Sequence, residues 1–254
     1  MKIRFLFLLA AFLPYHFSHA QIVSVKESGL HRTNEGWSET VTNMSGSAIV
    51  ALHATVTCIR ANGLRFIDDN GSMDALYVFS RDGGKEIAPG GTFEVTVNDP
   101  ADCRGGVDAA VFQDRHIEGN PESIALVFHR RRGAYKALSA AIPLLDTIAS
   151  QQATPDEVIR KLQSRSDSFL TDKSLDVYER SAADYVFSVV KSSVQRQELL
   201  RTPSDFTPDR QPSINDLAKN RNITPQQAQA LILMNKLQEW RAALEVHTEP
   251  PEAK

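Results

Sequence analysis

Five histidines lie beyond residue 20: His31, His53, His116, His129 and His247. Hydrolytic catalysis would need one of them beside a nucleophile and an acid that orients it. None stands in a local setting of that kind, because the chain has no G-x-S-x-G elbow, no H-E-x-x-H helix pair and no Cys/His context. A triad assembled from distant residues stays open at this level. Asp68, Asp69, Asn70 and Asp74 offer oxygen ligands of the kind calcium takes. Gly71 comes too early for an EF-hand loop, however, and no Glu follows at its twelfth position. Loop polarity is the expected role. His129-Arg130-Arg131-Arg132 is a dense cationic block. On a helix its members spread around most of a turn and cannot face one ligand, so a solvated face is expected rather than a phosphate site. These patterns call for no cofactor and no metal ion.

Cys58 and Cys103 are the two cysteines. In an oxidising compartment such a pair forms a bridge more often than it stays free. The closed loop would hold about 45 residues, which corresponds to roughly 4 kcal/mol of chain-entropy stabilisation. Two buried thiols that never meet are the alternative. Neither cysteine has a Cys or His at zinc-ligand spacing.

The compartment is read from the first 20 residues. Lys2 and Arg4 precede an apolar run from Phe5 to Leu13, Pro14 breaks it, and Ser18-His19-Ala20 supplies small residues at −3 and −1. This is the pattern of a secretory signal cleaved between Ala20 and Gln21. The apolar run is well short of the roughly 20 residues a spanning helix needs. Loss of Lys2 and Arg4 moves the net charge from −3 to −5. A mildly acidic, well-mixed surface does not suggest nucleic acid as a partner, and no transmembrane segment is expected in the mature chain. The expected location is periplasmic or secreted.

Residues 22–118 read as short strands divided by turn residues. Ala48 to Cys58 is the strongest, with Val50, Leu52, Ala54, Val56 and Cys58 on the expected core face. Strands over Trp37–Thr42, Ala75–Ser80, Phe93–Val97 and Val107–Phe112 accompany it. Some seven strands with no helix between them predict an antiparallel β-sandwich. Trp37 precedes both cysteines, whereas the antibody-type core Trp lies between them.

The runs Val41–Val50, Ile87–Thr92 and Val111–Asp114 resemble stretches of exported bacterial proteins of unassigned function with an immunoglobulin-like or fibronectin-III-like sandwich. The resemblance covers the front half. It implies a fold and a compartment and carries no active site across.

The back half reads as helical. Asn120-Pro121 starts a helix with an apolar stripe from Ile124 through Leu138 to Ile148, which Pro143 should kink or divide. Thr154-Pro155-Asp156-Glu157 and Thr224-Pro225-Gln226-Gln227 are capping boxes, each with Pro at the first helical position. A long helix is expected from about Lys173 to Leu200, with Leu175, Tyr178, Ala182, Tyr185, Val186, Val189 and Val190 inward. Asn43-Met44-Ser45 and Asn222-Ile223-Thr224 fit the glycosylation sequon.

The fold class is therefore α+β, an N-terminal antiparallel β-sandwich followed by a C-terminal helical region. The expected organisation is a signal peptide over 1–20, the sandwich over 21–119 and a helical region over 120–200. A Pro-containing linker over 201–223, an amphipathic helix over 224–247 and a disordered tail over 248–254 complete it. Two functions fit. One is a non-enzymatic exported interaction or scaffold module of the cell envelope, meeting an envelope or extracellular protein. The other is a secreted hydrolase with its site at the junction of sandwich and helices.

Overall fold

The computed structural model describes residues 22–68, 72–76, 85–99, 101–196 and 213–250. The signal segment with its Ala20–Gln21 cleavage point lies outside the described residues. So do Asp69 and Asn70, residues 77–80 of an expected strand, Pro203, Pro208 and Pro212, and residues 251–254.

Two antiparallel sheets form the front half. The first centres on β3 (Trp37–Asn43), with β7 (Thr92–Val97) along one edge and the short β1 (Val25–Glu27) and β2 (His31–Arg32) in tandem along the other. In the second, β4 (Ile49–Ile59) pairs with β8 (Asp102–Phe112), and β9 (Ile117–Gly119) closes that side. β5 (Arg65–Asp68) and β6 (Met73–Asp74) share the far edge of β4. The inward side chains alternate as a half-buried strand requires: Val41, Val95 and Val97 meet Val50, Leu52, Ala54, Val56 and Cys58 in one apolar cluster. Ile49, Ala51 and His53 on the opposite face of β4 are buried as well, because a helix covers that face.

That helix is α1 (Pro121–Ala149). Asn120 caps it, its Oδ1 accepting from the Glu122 amide at 2.8 Å. Pro143 does not divide it. The proline is exposed, so the carbonyl it leaves unpaired is on the side where water can satisfy it. Val127 and Phe128 pack into the sandwich cluster. From Ala134 onward the same helix lines a second cluster, shared with α2 (Pro155–Thr171), α3 (Val177–Arg196) and α5 (Pro225–Glu245). At about 1.5 Å per residue, α1 is a spine roughly 40 Å long that belongs to both cores.

Both capping boxes are present as the sequence predicts. The long helix begins at Val177 rather than near Lys173, since the Asp176 carboxylate accepts from the amides of Tyr178 and Glu179 and so acts as its cap. Its inward seam keeps Leu175, Ala182, Val186 and Val190, with Ala183, Phe187 and Val194 added, whereas Tyr178 and Tyr185 are exposed. Gly133 sets how closely α1 and α3 approach. A Cβ there would sit 2.2 Å from the Glu179 carbonyl oxygen, so α1 and α3 cross backbone to backbone at that point. Part of the segment expected as linker is helical, namely α4 (Ile214–Arg221), capped by Ser213 and closed by Asn222 in the left-handed conformation at φ 51°. The last helix is packed rather than free, with Leu233, Leu237, Trp240 and Leu244 buried in the second cluster. No helix among the described residues is long and apolar enough to cross a membrane.

Candidate functional site

The cationic block lies on the first half of α1, where helical spacing aims each side chain at a different neighbour. It is not a solvated face. Arg131 is fully buried and closes on Asp74 with two bonds, Nε to Oδ2 at 2.8 Å and Nη2 to Oδ1 at 2.9 Å. Arg132 donates to Glu179 at 2.7 Å and reaches Glu249 at 3.3 Å. His129 pairs with Asp176, and Arg130 lies over the Tyr178 ring at 5.8 Å. Three cations and a His thus tie α1 to β6, to the start of α3 and to the tail after α5. Desolvation counts against the Arg132 charge, but the carboxylates of Glu179 and Glu249 raise its pKa overall.

The same pairs reassign the acidic run. Asp74 is committed to Arg131, and Asp68 ends strand β5. Among the described residues no three His, Cys, Asp or Glu side chains gather as a metal site.

The five histidines are scattered. His31 contacts the Gly29 carbonyl, and His116 bonds Glu118 at 2.9 Å while stacking on Phe112. His53 is buried with its Nδ1 at 3.8 Å from Asp108, too long for a hydrogen bond. His247, in the tail after α5, lies within electrostatic reach of Arg131 and Asp74 at the junction of sandwich and helices. Burial first, then the charges of Arg131 and Arg115, push its pKa down against a smaller pull from Asp74. The junction therefore brings His247, Asp74 and Arg131 together, but Asp74 neutralises Arg131 rather than orienting the His. A groove of about 220 Å³ between α2 and α3 is lined by polar groups already paired to one another, Ser166 with Asp184 and Lys191 with Gln163.

Cys58 and Cys103 form a disulfide. They stand directly opposite each other on β4 and β8 with Cα atoms 4.1 Å apart, so the bridge lies within one sheet and not between two. It pins the strand end that leads into the β4–β5 hairpin. Ile59, Leu64 and Ile67 on that hairpin are 48%, 52% and 67% exposed. Beside them Arg60 is held by Asp99 at 3.0 Å and lies 4.8 Å over the Phe66 ring. The Asp99 carboxyl sits below its usual pKa because the Ala101 amide and Arg60 bond its charged form.

The sequence reading missed two carboxylates in the first sheet. Glu39 shares the inward face of β3 with Val41 and is 1% exposed. Its carboxyl shares the space beside Gly106 with that of Glu27 on β1, and its Oε2 is buried without a hydrogen-bond partner. Burial first, then the Glu27 charge, lifts its pKa from 4.5 to about 7. Glu27 in turn accepts from the Val107 amide at 3.1 Å. Gly106 on β8 leaves the space, since a Cβ there would stand 2.4 Å from Glu27 Oε2. The strand alternation Trp37-Glu39-Val41 carried the signal: an acid at an inward position.

The two sequons differ in access. Asn43 is fully buried, and its amide donates to the carbonyls of Ser47 and Ile87 at 2.8 Å each, which locks the turn after β3 to the Pro89-Gly90 turn. Asn222 closes α4. No family model, curated protein or solved structure matches this chain.

Proposed function

We propose that the protein is a non-enzymatic exported interaction module whose binding face is the β4–β5 hairpin of the second sheet. One observation carries this reading: Ile59 and Ile67 share an exposed face of a hairpin anchored by the Cys58–Cys103 bridge, and Leu64 is exposed at its turn. Contiguous exposed apolar side chains mark interaction surfaces, and each contributes about 1.5–3 kcal/mol when fully covered. The bridge and the Arg60–Asp99 pair hold the hairpin in place before a partner arrives, which lowers the ordering cost of binding. Among the described residues β5 is also an edge strand, whose backbone could take an added strand. The partner chemistry that fits is an apolar segment of an envelope or extracellular protein. Export, to the periplasm or beyond, rests on the signal pattern of residues 1–20 and agrees with the oxidised cysteines.

The test is a photo-crosslinking residue at position 67 of the exported full chain. A discrete adduct that is lost in the I59T/L64S/I67T variant, whose thermal melt stays near that of the parent, supports the proposal. Absence of any adduct, or one that survives the triple substitution, overturns it.

A further inference from the structure

The groove between α2 and α3 has no part in the hairpin reading. Its floor is apolar, made by the buried side chains of Leu162 and Phe187. Its walls carry a carboxylate, an ammonium and two hydroxyls, those of Asp184, Lys191, Ser166 and Ser188. Asp184, Phe187, Ser188 and Lys191 recur at helical spacing, so α3 presents them as one stripe. Leu162, Gln163 and Ser166 of α2 face that stripe.

The two charges are held apart. Ser166 donates to Asp184 Oδ1, and Lys191 donates to Gln163 Oε1 at 2.5 Å, so each charge is tied across the groove and not to the other. Gln163 also donates to Asp167 at 2.8 Å, which keeps its amide oxygen towards Lys191. Ser166, which orients Asp184, is itself 3% exposed. These bonds leave capacity over. Asp184 keeps its second oxygen, and Lys191 keeps two of its three donors. The Ser188 hydroxyl makes no hydrogen bond among the described residues.

We infer that this groove binds a dipeptide with both ends free, its ammonium on Asp184 and its carboxylate on Lys191. Seven positions of helix separate the two Cα atoms by about 10 Å. Helical side chains lean towards the N-terminus, and Lys is the longer of the two, so its ammonium comes back towards Asp184. The remaining span suits two extended residues, about 7 Å of chain. A volume of about 220 Å³ admits small side chains, which rest on Leu162 and Phe187 while Ser188 meets the peptide unit. A single amino acid carries both charges on one carbon and cannot reach the two ends. A simple anion or cation leaves one end of the groove without its counter-charge. The opposite ends also fix the direction of the bound chain.

The experiment titrates L-alanyl-L-alanine into the isotope-labelled mature chain and follows its amide NMR spectrum. Saturable shifts should centre on residues 162–166 and 184–191. The N-acetylated and the C-amidated dipeptides should each bind about tenfold more weakly or worse, because each loses one charge-assisted hydrogen bond. These comparisons use the parent chain and need no substitution. D184N keeps an acceptor for Ser166 and should bind the free and N-acetylated forms alike; K191M should bind the free and amidated forms alike. A merely structural role for either residue would weaken all three peptides together. Absence of shifts on α2 and α3 at millimolar peptide overturns the site. So does equal binding of the blocked peptides to the parent, or alanine binding as tightly as the dipeptide.

Discussion

Arg131 and Asp74 stand 57 positions apart in the chain and meet as a two-bond ion pair, with the guanidinium fully buried between α1 and the second sheet. Asp74 lies opposite Ala51 on β4, on the face that α1 covers. The pair is the charged contact that fastens the helical spine to the sandwich. Trp240 adds a second tie from α5, its indole N–H donating to the Leu76 carbonyl at 2.7 Å.

Removing one partner of this pair should cost far more than removing both. R131A strands a buried carboxylate and should lose about 3–5 kcal/mol, whereas R131M/D74L replaces both charges with apolar volume and should lose much less. Urea unfolding of the two variants and the parent at pH 7 gives the comparison. Equal losses would mean that Asp74 is solvated and that the pair is incidental.

The Cys58–Cys103 bridge closes a separation of 45 residues. The C58A/C103A variant should be less stable by about 4 kcal/mol on the chain-entropy account. Because the cysteines oppose each other within one sheet, the β4–β8 ladder should persist without them, and far-UV circular dichroism should be unchanged. Loss of the strand signal would show that the bridge is needed to form the ladder and does more than restrict the unfolded chain.

At the α1–α3 crossing the helices have no room for a side chain. G133A places its Cβ against the Glu179 backbone and should cost about 1–3 kcal/mol through separation of the two helices. This runs against helix propensity, which favours Ala over Gly by about 1 kcal/mol. A thermal melt therefore gives the sign directly, and a raised Tm in G133A would refute the close crossing.

Two groups oppose each other in the pH dependence of stability between about pH 4.5 and 7. Glu39 has a raised folded pKa, so its contribution is full below 4.5 and is lost as pH rises towards about 7. His247 has a folded pKa below its ordinary 6.5, so the unfolded chain takes up the proton first and stability falls as pH drops below 6.5. Relative to the parent, E39Q should shift the maximum of stability to higher pH, and H247Q should shift it to lower pH. Urea midpoints at pH 5, 6, 7 and 8 would show both movements; shifts in the same direction would contradict one of the two assignments.

Local signals carried the α+β class and most of the elements. The alternation of Val50, Leu52, Ala54, Val56 and Cys58 set the core face of β4, and the 3.6-residue recurrence from Val127 to Ile148 set the inward stripe of α1. Capping chemistry at Asn120, Thr154 and Thr224 needs only residues within one turn, so it was legible before any packing. At the edge of a stripe the reading slipped: Tyr178 and Tyr185 fit it by spacing but are exposed, while Ala183 and Phe187 are buried beside Ala182 and Val186.

The charges were the other part that spacing could not settle. A run such as His129-Arg130-Arg131-Arg132 shows only that four cationic or titratable side chains fan around a helix. Whether each meets water or a carboxylate depends on what Asp74, Asp176, Glu179 and Glu249 bring to it from three other places in the chain. Glu27 and Glu39 are the same case with the sign reversed, since their contact exists only because β1 and β3 pair and Gly106 makes way. Local sequence determined the elements because hydrogen bonding and alternation act over a few residues. Tertiary structure alone decided the ion pairs and the carboxyl pair, because Coulomb and desolvation energies depend on distance in space and not along the chain.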